Sequence, residues 1–118
     1  MKKTSVAELL KVKNTTGESP FIEKILKGKD FEAITGILAS HSQGHSHYHN
    51  FHESIFFILS GEAIEYIEGE EVPLKVNDVL YIPAKEKHMM VNRNDDDFRY
   101  LEIHIPAESE VLDSVEVK

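Results

Sequence analysis

This sequence predicts an all-β barrel or sandwich, on three observations. Short apolar segments recur at regular spacing between turn signals. One of them, Ile55-Phe56-Phe57-Ile58-Leu59, is a continuous apolar run closed by Ser60-Gly61, the pattern of a strand buried on both faces. Five of the seven histidines fall between His41 and His52, with His47-Tyr48-His49 among them. Two imidazoles one residue apart on a strand point to the same side, because strand side chains alternate. They form a two-pronged chelate.

From the amino end, Ser5-Val6-Ala7-Glu8 has the form of a capping box and predicts a short helix to about Lys11, ended by the polar stretch Asn14 to Pro20. Phe21 to Leu26 and Phe31 to Leu38 read as strands joined by a turn at Gly28-Lys29-Asp30. After the histidine cluster and the apolar run, Glu62 to Glu68 alternates imperfectly, Gly69 marks a hairpin, and Val72 to Val76 returns. Pro73 fits only an edge or a strand start, since proline cannot donate to a ladder. Val79 to Ile82, His88 to Asn92 and Phe98 to Ile105 supply further strands, with Asn94 to Asp97 as a solvated turn. That acidic turn lacks the spaced ligands and terminal glutamate of a calcium loop.

At 118 residues, 41% apolar and 29% charged, the chain reads as one globular domain, 1–118, with a barrel core at about 31–106. A formal charge of −8 without a Lys/Arg stripe argues against nucleic acid and anionic membranes as partners. There is no long apolar run and no signal-like amino end, so the expected compartment is the cytoplasm. Without cysteine there are no disulfides, thiolate ligands or cysteine nucleophiles. Gly-x-Gly-x-x-Gly, phosphate-loop and nucleophile-elbow patterns are also absent from the sequence.

The candidate ligands for a divalent ion are His47, His49, Glu53 and His88, three imidazoles and a carboxylate. A histidine-rich loop that binds metal adventitiously is the competing reading of the first cluster alone. Spacing from His49 admits either Glu53 or Ser54 as the fourth group. Adjacent strand residues face opposite ways, so without a bulge only one points inward. Chemistry favours Glu53, because a hydroxyl is a poor ligand beside three imidazoles. If Ser54 points inward, the site becomes three histidines plus water, with His52 or Glu53 outside the coordination sphere.

Together, His47, His49, Glu53 and Gly61, then Pro83, His88 and Asn92, resemble the paired motifs of the cupin superfamily, over about Phe31 to Pro106. The resemblance implies a double-stranded β-helix, or jelly-roll barrel, in which facing strands bring His88 beside His47 and His49. Three departures stand out. Asn77 and Lys85 replace motif glycines, and the interval from Glu53 to Gly61 holds seven residues where the family usually has six. Asparagine tolerates positive φ, whereas Lys85 calls for an altered loop.

If His88 points inward, Met90 and Asn92 do too, and Phe56 shares the face of Ser54. Met90 is a candidate for the pocket wall, although a methionine at this place is more often a core filler than a functional group. His52 is a candidate for orienting a ligand, and His104, on the face of Glu102, for a pocket acid or base. His41 and His45 are expected on the surface. The ion expected is a divalent transition metal, iron, manganese, nickel, zinc or copper, with open positions for water, dioxygen or a substrate oxygen. The resemblance spans dioxygenases, isomerases, decarboxylases and non-catalytic binders, so it does not choose a reaction. Two readings follow: a small metal-dependent enzyme, dioxygenase-like or isomerase-like, acting on a small oxygenated organic molecule, or a non-enzymatic module binding a small ligand or metal. Related small cupins commonly dimerise through amino-terminal strands, so a homodimer is expected, with residues 1–30, and Phe21 to Leu26 in particular, as the interface.

Overall fold

The computed structural model describes residues 1–106 and 114–117. A four-residue helix, α1 (Val6–Leu9), opens the chain; Ser5 caps it, its Oγ accepting from the Glu8 amide at 3.2 Å. The helix ends sooner than the sequence suggests, because only Leu9 is buried and gives it an anchor. The remaining elements are strands: β1 (Phe21–Lys27), β2 (Glu32–Leu38), β3 (Ser42–Gln43), β4 (His47–His49), β5 (Glu53–Ser60), β6 (Ala63–Ile67), β7 (Glu70–Leu74), β8 (Val79–Ile82), β9 (His88–Asn92), β10 (Phe98–Ile105) and β11 (Ser114–Glu116).

They form two antiparallel sheets. One runs β1-β2-β10-β5-β8 and the other β11-β4-β9-β6-β7, with β3 also paired to β9. Pro73 lies on β7, at the edge of its sheet, where its missing N–H removes no ladder bond. The β6–β7 hairpin turns through Glu68 and Gly69, both with positive φ. β11 carries no signal that set it apart in the sequence. The returning strand β7 starts two residues before the stretch that apolar pattern suggested.

The sheets differ from expectation in what they bury. β5 alternates, its odd residues half-buried from Glu53 to Phe57 and its even residues buried from Ser54 to Ile58. Its apolar run therefore covers one face fully and the other in part. β2, with Glu32, Thr35 and Gly36 in its sequence, is the strand buried along its whole length. It lies between β1 and β10, and Arg99 Nη1, on the outer side with Ile37, holds the amino-terminal segment by donating to the Val12 carbonyl at 2.6 Å.

Directly paired strand residues share a face, so the inner face of the first sheet resolves into rows. Glu32, His104 and Ser54 form one row, Ile34, Glu102 and Phe56 the next, and Gly36, Tyr100 and Ile58 a third. Polarity fades along this series into the core of Leu38, Phe56, Ile58, Ala63, Leu74, Ile82, Phe98 and Tyr100. Gly36 makes room for Tyr100: a Cβ there would stand 2.1 Å from the tyrosine Cζ.

Candidate metal centre and cavity

β4 and β9 are neighbours, and His47 is paired directly with His88 across them. Alternation then puts His49 on the same side as His47. The ring centroids lie 4.2 Å apart for His47 and His88, 5.1 Å for His47 and His49, and 5.4 Å for His49 and His88. One ring nitrogen from each of the three falls within 4.8 Å of the others.

The backbone fixes which nitrogens are offered. His47 Nδ1 is 2.7 Å from the His45 carbonyl, and His88 Nδ1 is 3.0 Å from the Glu86 carbonyl. A carbonyl only accepts, so each Nδ1 carries the proton and each Nε2 keeps its lone pair. Burial, and next the neighbouring His47, push the His88 pKa down from 6.5 to about 4, which keeps that imidazole neutral at ordinary pH. The turn before β9 is tied to the first motif, since the Lys85 amide donates to the His49 carbonyl. Lys85 takes φ 71° and Asn77 φ 75°. Lys85 adopts the left-handed conformation that a glycine would hold more cheaply.

Glu53 does not join the three histidines. It sits on the outer face of β5, where the Tyr81 hydroxyl donates to its carboxylate, an interaction that raises the Tyr81 pKa. Ser54 takes the inward position, 1% exposed and opposite His104. Regular alternation from Glu53 to Ile58 enforces this choice. The register shifts only at the far end of the strand, where Leu59 is an extra residue against β10.

His104 and His52 extend the cluster. His104 is 6.4 Å from His49 and 6.0 Å from His52 between ring centroids, and His52, fully buried, is 5.6 Å from His49. Burial, with the neighbouring histidines in support, lowers the His104 pKa to about 4. Asn92 faces inward but is a structural residue. Its Nδ2 donates to the carbonyls of Leu38, Ala39 and Asp96, and its Oδ1 accepts from the Asn94 amide. It closes the β2 end and the following turn rather than lining a pocket. His41 pairs with Asp95 at 2.7 Å, and His45 with Glu116 at 3.4 Å; both are exposed.

The triad opens into a cavity of about 480 Å³ walled by Ile34, Phe56, Met90 and Tyr100 among others, within the range of small-molecule sites. His104 also lines it, as do four carboxyls, Glu32, Glu65, Glu102 and Glu116. Glu102 Oε2 is 3.5 Å from His104 Nδ1. Glu65 is 1% exposed, and neither of its oxygens has a hydrogen-bond partner among the described residues. Burial, with Glu102 nearby as the second cause, raises its pKa from 4.5 to about 8. Glu32 and Glu65 are among the cavity residues that sequence reasoning missed. The available signal was a charged residue at an inward position of an otherwise apolar strand.

The cupin domain family model matches residues 35–104. The chain belongs to the cupin family. It is 32% identical to an oxalate-binding protein of Thermotoga maritima over 59 residues, 50% of this chain and 49% of that protein. It is 36% identical to quercetin 2,3-dioxygenase of Bacillus subtilis over 42 residues, 36% of this chain and 12% of that enzyme. The chain thus spans about half or less of the length of these curated relatives. Among solved structures, a Klebsiella pneumoniae protein with a double-stranded β-helix domain aligns with TM-score 0.77 and 21% identity over 90% of each chain, a likeness of fold. Among the described residues of this cupin, no helix is long and apolar enough to cross a membrane. Its three imidazoles fit a divalent transition metal: they converge, they are buried or half-buried, and two have Nδ1 committed to a carbonyl.

Proposed function

We propose that this cupin is a small metal-dependent enzyme, dioxygenase-like or isomerase-like, acting on a small oxygenated organic molecule. His47, His49 and His88 would hold the ion, with water or substrate oxygen in its other positions and Glu53 outside the set. The observation that carries this reading is the convergence of three imidazole nitrogens on a cavity of substrate size. A bound ion would supply Lewis-acid polarisation of a substrate oxygen or, if redox-active, dioxygen chemistry. The chain's own contribution is apolar walls that limit water and a neutral His104 beside Glu102, placed to accept a proton at a ring nitrogen.

The test is metal content by elemental mass spectrometry on untagged protein, wild type against His88→Ala, followed by turnover of candidate oxygenated substrates. Near-stoichiometric metal lost in the variant is expected. A wild type that takes up none of iron, manganese, nickel, copper or zinc overturns the reading. The similarity to an oxalate-binding protein favours a second reading, a non-enzymatic binder, which predicts a ligand recovered unchanged after long incubation. We also propose a cytoplasmic homodimer formed along β1. That strand is a sheet edge with Ile22 half-exposed, a surface suited to pairing; light scattering that gives a monomer mass would remove the proposal.

A further inference from the structure

Glu65 stands apart in the cavity wall. It lies on β6 two residues from Ile67, the partner of His88, and is itself paired with Met90. Two residues of strand span about 6 to 7 Å, so Glu65 is one step further in than the histidines. It shares its face of β6 with Ala63, a residue of the core. It lines the cavity together with Ile34, Phe56 and Met90, and side chains of that kind offer a carboxyl little to bond to. Glu65 is almost fully buried, and neither of its oxygens has a hydrogen-bond partner among the described residues.

Burial raises its pKa to about 8 and so keeps the group neutral at ordinary pH. Glu102, in the row of Lys24 and Ile34 on the facing sheet, is the second influence. A neutral carboxyl carries one O–H donor and one carbonyl acceptor side by side. Leaving both unsatisfied at a buried site is costly, and a partner inside the cavity removes that cost. The partner that matches is a neutral group that accepts and donates together. A hydroxyl does so through one oxygen, and a primary amide through its adjacent oxygen and nitrogen, closing a pair of hydrogen bonds.

We infer that Glu65 binds the ligand directly and sets its class: it exchanges hydrogen bonds with a neutral hydroxyl or primary amide at the end of a small molecule whose other end lies at the histidines. The inference rests on the proposed function for that other end alone. Strand spacing puts the two ends about 6 to 7 Å apart, the reach of a four-carbon chain with its terminal groups.

Three probes with a carboxylate head and similar length, 4-hydroxybutanoate, succinamate and pentanoate, differ at the tail in hydroxyl, primary amide and methyl. They are titrated calorimetrically against wild type, Glu65→Gln and Glu65→Met, with metal content and thermal unfolding measured on each sample. The better polar-tailed probe is expected to bind wild type at least about tenfold more tightly than pentanoate, and it identifies the group that Glu65 receives. Glutamine also presents a donor beside an acceptor and should keep that preference within about threefold, whereas methionine, of similar length, should reduce it to about twofold or less. Pentanoate binding wild type as tightly as the polar-tailed probes overturns the inference, as does an absence of binding by every probe. A preference that survives in folded Glu65→Met also overturns it, since an internal water would then be the partner of Glu65; so does a glutamine variant that loses the preference as fully as methionine. The wild-type series decides alone if Glu65→Met fails to fold. Metal-free wild type that keeps the tail preference removes the metal reading and leaves this one standing, and metal-bound wild type without the preference does the reverse.

Discussion

Replacing Glu65 by glutamine should stabilise the barrel, and by an amount that grows with pH. In the folded protein the carboxyl titrates at about 8 rather than 4.5, chiefly because it is buried. A folded pKa above the unfolded one means that the native state holds its proton longer. Relative to a residue that does not titrate, the stability carried by Glu65 is complete below pH 4.5 and is lost as pH rises through 8. At 1.36 kcal/mol per tenfold change, the handicap is about 1 kcal/mol at pH 5 and about 4 kcal/mol at pH 7.5. Glutamine has the same shape and no charge to expose on unfolding. Urea denaturation of wild type and Glu65→Gln at both pH values, on metal-free protein, should therefore show the variant's advantage increasing by about 3 kcal/mol between them. Titrating groups that do not interact with Glu65 cancel in the comparison. An advantage that is the same at pH 5 and pH 7.5 would refute the reasoning, because it would mean that Glu65 ionises in the fold as easily as outside it.

His88 and His104 run the other way, since burial lowers both from 6.5 to about 4. The unfolded chain protonates first, so metal-free protein should keep its stability above about pH 6.5 and lose it as pH falls toward 4. The loss is at most about 3 kcal/mol for each group, measurable as a falling urea midpoint. Asn92→Ala removes a side chain that donates to the carbonyls of Leu38, Ala39 and Asp96; leaving them short of a donor should cost about 2 to 4 kcal/mol by denaturation. Lys85→Gly should leave stability within about 1 kcal/mol of wild type, because relief at φ 71° offsets the extra freedom of the unfolded chain. Lys85→Val, β-branched in the same conformation, should be less stable than either, with weakened metal uptake as a second readout.

Where local chemistry and fold agreed, the sequence was readable. His47 and His49 follow from alternation, and His88 from the cupin resemblance that set a distant histidine beside them. Strands β8, β9 and β10 were legible from apolar runs bounded by turn residues. Glu53 was misplaced because ligand chemistry was weighed above strand parity. A carboxylate is the better ligand, yet an uninterrupted strand gives it no way to turn inward, and Tyr81 on the next strand supplies the partner that holds it outside. The full burial of β2 was not legible for a different reason. Its polar residues suit an exposed strand, and its place between β1 and β10, with the amino-terminal segment held alongside by Arg99, accounts for its full burial. Such coverage is a property of the assembled sheet. Glu65 and Glu32 were passed over because inward carboxyls look like surface alternation until the facing strands are known.

The bond from the Lys85 amide to the His49 carbonyl joins the two histidine-bearing segments through the main chain. The separation of His49 from His88 is consequently set before any ion arrives, and capture would require little rearrangement. A chelate held in this way distinguishes ions by the coordination geometry they tolerate more than by the strength of any one bond. An ion with other demands would have to deform the barrel to be held, and the barrel, rather than the ion, would decide the outcome.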